Sequence, residues 1–288
     1  MQPGKPSRTA LAAAFHRAAH QVLDKGRIFR DPLALRILGI DAETVARKAQ
    51  ENPSAARMRL FIAARTRFAE DALAAAIEQG VRQLVVLGAG LDTYAYRSPS
   101  IDRLRIIEVD HPVTQAWKRC RLQEAAISIP SSLTFASIDF EHETLAERLA
   151  AAGLDRSLPS FFTWLGVVPY LNEDAVWSTL GFIARLPLDP QVVFDYGDPP
   201  ESLSPESRAL HEKRAARVAE LGEAWVTHFE PEDLHARLSA LGFTEIEDLG
   251  PPQIAARYLP EPIHPLPARG GHIVRAGRSR RSHMTILA

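Results

Sequence analysis

Residues 81–97 read VRQLVVLGAGLDTYAYR. Leu84 to Leu87 is a short, continuous apolar run that ends at Gly88. Such a run is the pattern of a strand in a parallel sheet, where helices cover both faces. Gly88 and Gly90 stand where that strand would leave the sheet. Glycine lets the chain turn there and leaves room for a ligand against the main chain. In open α/β sheets, ligands bind at the carboxyl ends of the strands. About 20 residues beyond Gly88, at the end of a second apolar run, RIIEVDHP at 105–112 carries Glu108 and Asp110. An acid at that place can accept hydrogen bonds from both hydroxyls of a ribose. The turn and the acid together predict an adenosine-type cofactor. The dinucleotide fingerprint needs a third glycine, but Thr93 stands three residues after Gly90. A pyrophosphate would lose its close approach to the next helix, which favours a cofactor without phosphates.

The pattern extends in both directions. Further strands are predicted at Leu104 to Val109, Leu133 to Ile138, Phe161 to Trp164 and Val192 to Tyr196. Helical stretches separate them at about Pro112 to Ile127, His142 to Ala152 and Glu173 to Leu186. Strand alternating with helix predicts an α/β fold with a doubly wound, mostly parallel sheet. Upstream, Thr9 can cap an Ala-rich helix to about Leu23, and Asp31 before Pro32 can cap a short helix through Leu38. A longer helix follows Pro53 and stops at Gly80. Downstream, a polar amphipathic helix in residues 198–230 interrupts the alternation. A helix from Pro231 to Leu241 and two strands, FTEIEDLG and GGHIVRAG, bring the total to seven. The Pro-rich stretch between those strands, 251–270, reads as an ordered loop, and the strands as an antiparallel addition at the sheet edge. One domain is expected over 1–288. It divides into an N-terminal helical region (1–80), a cofactor-binding core (81–197), a helical insert or cap (198–230), a C-terminal helix with edge strands (231–277) and a tail (278–288).

The formal net charge is -1, so no global field draws the chain to nucleic acid or to an acidic membrane. The basic cluster Arg275, Arg278, Arg280 and Arg281 reads as a solvated tail. Cys120 is the single cysteine, which rules out an internal disulfide and a Cys-rich metal site and fits a reducing compartment. His16 and Arg17 break the apolar N-terminal patch before it reaches signal-peptide length. No apolar run approaches the roughly 20 residues of a membrane-spanning helix. A soluble cytoplasmic protein is expected, with no metal, nucleic-acid or membrane partner; the oligomeric state is not legible.

LVVLGAGLDTYAYR at 84–97, followed by IIEVDHPVTQAWKR at 106–119, resembles the leucine carboxyl methyltransferase family of class I methyltransferases. The likeness runs from TALAAAFHRA at 9–18 to GGHIVRAG at 270–277. It implies a Rossmann-like seven-stranded sheet and S-adenosyl-L-methionine as cofactor. It also implies roles for individual residues. Arg65, in AARTRFAEDAL, would meet the cofactor's methionine carboxylate, although Arg67 could serve instead. Gly88 would touch the cofactor through its backbone, with Gly90 beside it. Asp110 would hold the ribose with Glu108 two residues before it, though either acid can instead be a structural hydrogen-bond partner. Asp139 and Phe140, in SIDFE, would border the adenine, or Asp139 would only cap the next helix. Where many members carry a glutamate, this chain has Leu165, in WLGVVPYL at 164–171. Tyr170 keeps the family's tyrosine position and, with Tyr196, is a candidate for the substrate pocket or for sheet packing.

The expected reaction is O-methyl transfer to a carboxylate or hydroxyl of a small molecule. A carboxylate is already ionised near neutral pH, whereas a hydroxyl usually needs a general base. His111, His228, Tyr170 and Tyr196 are base candidates, and none is forced. Two other readings share the pattern: an NAD-dependent oxidoreductase, and a non-catalytic binding protein with a methyltransferase fold, to which Leu165 lends weight.

Overall fold

The computed structural model describes residues 6–138, 143–259 and 266–278. The chain begins with four helices: α1 (Arg8–Leu23), α2 (Ala34–Leu38), α3 (Ala42–Gln50) and α4 (Ala56–Glu78). There follow β1 (Gln83–Leu87), α5 (Tyr94–Arg97), β2 (Arg105–Asp110), α6 (Pro112–Glu124), β3 (Leu133–Ser137) and α7 (Leu145–Ala151). Next come β4 (Ser160–Trp164), α8 (Glu173–Ala184), β5 (Gln191–Gly197) and α9 (Pro205–Glu220). The described chain closes with α10 (Pro231–Ala240), β6 (Glu245–Leu249), α11 (Pro251–Tyr258) and β7 (Gly271–Gly277).

The strands form one sheet in the order β3-β2-β1-β4-β5-β7-β6. The first five are parallel, and β7 runs antiparallel between β5 and β6. Alternation along β1 explains why its sequence is apolar throughout. Leu84 and Val86 face a core built with Phe68, Leu73 and Ile77 of α4. Val85 and Leu87 face a second core built with Val176 and Leu180 of α8 and Leu234 and Leu238 of α10. The strand order reverses between β1 and β4, so a crevice opens beyond their carboxyl ends, where such sheets bind ligands.

Several expectations need correction. The stretch after β6 is not only loop: Pro251–Tyr258 forms α11, with proline in its first turn, where a missing N–H costs nothing. Ile254 and Ala255 are buried, and Ile254 packs into the core on the α4 side of the sheet. Ser7 rather than Thr9 caps α1, and α3, capped by Asp41, was not anticipated. Arg275 belongs to β7 and pairs with Glu247 at 3.4 Å, so it is no part of a tail. Residues 139–142, where the next helix was expected to start, lie outside the described residues. The helix is first seen at Leu145, behind a capping box of Thr144 and Glu147. Among the described residues, no helix is long and apolar enough to cross a membrane.

Candidate active site

The crevice leads into a cavity of about 1550 Å³. Single-ligand sites typically measure about 300–1,000 Å³, so there is room for a cofactor and a second molecule. Its floor is the pair of turns after β1 and β4, and its walls are α1 and α4. The roof is α9, where Ser207, Leu210, His211, Arg214, Val218 and Leu221 recur at helical spacing on the cavity side. None of the α9 side chains is fully buried, so this amphipathic face looks onto space rather than onto core.

At the β1 turn, Gly88 has φ +65°, and a Cβ there would lie 2.4 Å from Val167 Cγ2. The position therefore excludes any other residue, on conformation and on space. The Gly90 amide donates to Asp110 Oδ2 at 2.5 Å, and the His111 amide donates to Asp110 Oδ1 at 2.7 Å. These bonds tie the turn to the end of β2 and hold the carboxylate at the cavity wall. Burial pushes the Asp110 carboxyl above its usual range, with the two amides pulling the other way. Thr93, at the absent third glycine, is buried and donates to Asp31 at 2.7 Å. Asp31 in turn lies 3.5 Å from Arg17 and from Arg97. The N-terminal helices thereby brace the turn.

Glu108 is placed elsewhere. It is 1% exposed and does not line the cavity. Lys118 Nζ lies 2.6 Å from it, and the Tyr96 hydroxyl donates to it at 3.1 Å. Burial raises its pKa to about 7 despite the ammonium beside it. The two acids of EVD thus divide: one reaches the cavity, and the other holds α6 and α5 under the sheet edge.

Arg65 projects from α4 to the β4 turn. Its Nη1 donates to Asp195 Oδ2 at 2.7 Å, and Asp195 also accepts from the Gly166 amide. Gly166 has φ +71°, and a Cβ there would lie 2.8 Å from Arg65 Nη2. Arg65 Nε is buried with no hydrogen-bond partner among the described residues. Arg67, the other candidate, points away and pairs with Asp71 at 2.8 Å. Leu165 lines the cavity and packs on the α4-side core.

Tyr170 lines the cavity together with Thr9 of α1 and Trp225 beyond α9, and burial pushes its phenol up. The Tyr196 ring also reaches the lining, but its hydroxyl donates to Asp248, and the ring stacks on His272 at 4.8 Å. That engagement removes Tyr196 as a base candidate, since its phenol is held strongly in the protonated form by burial and by Asp248. His111 caps α6 through Val113. His228 faces the cavity beside His211 at 5.2 Å, and burial holds both imidazoles below their usual pKa. Asp139 and Phe140 lie outside the described residues.

Three cavity residues were not foreseen: Asp195, His16 and Glu223. Asp195 ends the apolar run of β5, a position that marks the ligand edge of the sheet. His16, on α1, has its pKa lowered to about 4 by burial and by Arg59, Arg65 and Arg214. Glu223, after α9, accepts from the amides of Arg8 and Thr9 at 2.9 and 3.0 Å. It so clasps the roof to the start of α1, and nothing in a sequence reveals a cap supplied from 215 residues away.

The sequence matches the leucine carboxyl methyltransferase family over residues 10–184. The chain belongs to this family. It is a methyltransferase, and its cofactor is S-adenosyl-L-methionine. A Bacillus subtilis protein named "Putative S-adenosyl-L-methionine-dependent methyltransferase YktD" is 29% identical over 279 residues, 88% of this chain and 91% of that protein. A protein of like designation from Streptomyces coelicolor is 35% identical over 191 residues, 64% of this chain and 66% of that one. In fold, the chain resembles a possible exported protein from Bordetella parapertussis. The TM-score is 0.50 at 14% identity, over 96% of this chain and 99% of the other. Family membership overturns the NAD-dependent oxidoreductase reading.

Proposed function

We propose that this methyltransferase transfers its methyl group to an oxygen, a carboxylate or a hydroxyl, of a small molecule held beneath α9. The observation that carries the reading is the charge around His16. Three arginines bear on this imidazole and the ring stays neutral. Arg59 and Arg65 are paired with Asp24 and Asp195, whereas among the described residues Arg214 hydrogen-bonds only to the Ser54 carbonyl. An ammonium acceptor placed beside Arg214 would be repelled by its unpaired charge. A carboxylate is welcomed by it, and a hydroxyl can donate to the neutral imidazole. The roof restricts the site to molecules small enough to be enclosed.

The residues present fit the cofactor. The guanidinium of Arg65 reaches the β4 turn at Gly166, and its buried Nε is a donor without a partner among the described residues, which leaves it capacity for the methionine carboxylate. Gly88 and Gly90 bring bare backbone to the cavity, and Asp110 offers its carboxylate to a ribose. Asp139 and Phe140 remain the proposed adenine border. Bound S-adenosyl-L-methionine supplies a methyl on a positive sulfonium, which an aligned nucleophile displaces in line. The chain's own residues orient the two reactants and exclude water. Tyr170, with Thr9 and Trp225 beside it in the lining, forms the wall against which the acceptor lies. Cytoplasmic activity on free metabolites fits the lone cysteine.

The test is transfer from S-adenosylmethionine to a library of small carboxylates, phenols and amines, read as S-adenosylhomocysteine release. Turnover is expected with oxygen acceptors. Turnover with amines alone, or with none of the library despite cofactor binding, overturns the reading; the latter outcome would favour a non-catalytic binding protein.

A further inference from the structure

The cations that line the cavity are not equally satisfied. Arg59 is matched by Asp24 at 2.7 Å, and Arg65 by Asp195 at 2.7 Å. Arg17 lies against Asp31. Arg214, on the cavity face of α9, has no such partner among the described residues. Its one hydrogen bond goes from Nη2 to the backbone carbonyl of Ser54 at 2.9 Å. Burial and the nearby Arg57 both disfavour its charge, and no carboxylate opposes them. A half-buried guanidinium cannot shed its proton, so the unmet charge stays. Removing a cation from water without a counter-ion is costly, and proteins keep such groups where a ligand completes them.

Its position says which part of a ligand that would be. Ser54 lies just before α4, and Arg65 lies nine residues into that helix. At about 1.5 Å per residue, the start of α4 is about 13 Å from Arg65. Arg214 therefore stands at the outer end of the cavity, far from the β1 and β4 turns. Both Arg65 and Arg214 bear on His16, which also lines the cavity.

We propose that Arg214 binds an anionic group at the far end of the methyl acceptor, distinct from the oxygen that is methylated. The separation keeps the two roles apart. An oxygen locked in a charge-assisted pair with a guanidinium has its lone pairs engaged and is a poorer nucleophile. The nucleophilic end lies toward the sheet, and the anionic end reports to the roof. The acceptor class is thus an elongated small molecule with a reactive oxygen at one end and a carboxylate or phosphate at the other.

This inference rests on the acceptor site proposed above, and one experiment separates the two. The protein, saturated with S-adenosylhomocysteine, is titrated calorimetrically with benzoate, cinnamate, hexanoate and phenyl phosphate, each acid also as its uncharged amide or, for the phosphate, as phenol. At least one anion is expected to bind tenfold or more tightly than its neutral counterpart. Arg214→Gln should abolish that preference while the neutral counterparts and S-adenosylhomocysteine bind as before. Arg214→Lys, which retains the charge, should keep a preference of several-fold. The proposal is overturned if no anion is favoured by the wild type, if Arg214→Gln keeps the preference, or if Arg214→Lys loses it entirely. Failure of the wild type to bind S-adenosylhomocysteine would instead overturn the cofactor site itself.

Discussion

Asp110 uses both carboxylate oxygens on backbone amides of the turn it would share with the cofactor. Its removal should therefore loosen the turn and unpair the ribose together. Asp110→Ala is expected to weaken S-adenosylhomocysteine binding by about 1–3 kcal/mol, the cost of leaving polar partners unmet. An unchanged dissociation constant in a folded variant would remove the ribose assignment. Glu108 calls for a different measurement, because it acts on stability. Lys118→Met leaves a fully buried carboxyl without its cation and should cost about 3–5 kcal/mol in chemical denaturation. The orphaned carboxyl escapes by taking up a proton, so the loss should be larger at pH 8 than at pH 6. Adding Glu108→Leu should restore most of it; an additive double variant would contradict the pairing. These two acids show where a sequence stops informing. Two apart on one strand, they look equivalent, and the motif marks both. Only the packing of Lys118, ten residues later on α6, decides which of them is turned inward. Asp195 and His16 escaped notice for a related reason: their significance lies in partners on other elements, not in a local pattern.

At the scale of elements, β1, β2, β4 and β5 were legible because burial on both faces leaves an apolar run that ends within a residue or two of the observed strand, whereas the edge strand β3, with Thr134 exposed, was marked by its spacing in the alternation. Gly80 and Gly88 punctuate those ends. By contrast, α11 is not legible, since two prolines and a Pro-rich flank give a helix of eight residues the signature of a loop. The roof helix was legible as amphipathic, but what its apolar face covers was not. Glu223 decides how that roof is held. It accepts from the Arg8 and Thr9 amides and from the Ser7 hydroxyl at 3.2 Å, so it serves as a carboxylate at the positive end of α1. Glu223→Ala should cost about 1–2 kcal/mol of stability, as lost helix caps do. Amide exchange should speed up in α1 and in residues 205–227 while the β1 to β5 amides keep their protection. Uniform exchange across the molecule would show that the clasp is not local.

For the molecule as a whole, the β5, β6 and β7 edge is joined by an ionic knot beneath the cap. His272 of β7 sits between Asp198, at the root of the insert, and Asp248 of β6, at 3.2 and 3.0 Å. Burial opposes its charge, but the two aspartates outweigh it and raise its pKa to about 9. A pKa raised on folding gives stability that is complete below the unfolded value near 6.5 and is lost as pH climbs through 9. Tm should therefore fall between about pH 6.5 and 9 by an amount equivalent to about 2–3 kcal/mol at most. His272→Gln should flatten that slope, and a wild-type slope unchanged by the substitution would place its origin elsewhere.

The bond from Glu223 to the first turn of α1 spans 215 positions of the chain. A ribosome adding about 5–20 residues per second delivers the carboxylate some 10–40 s after the amides it serves. Throughout that interval the nascent protein carries its glycine-rich crevice without a lid. Methyl transfer, which needs the acceptor enclosed beneath α9, must accordingly await synthesis of residue 223, and truncation products that end before it should be inert even where every strand of the parallel sheet is present.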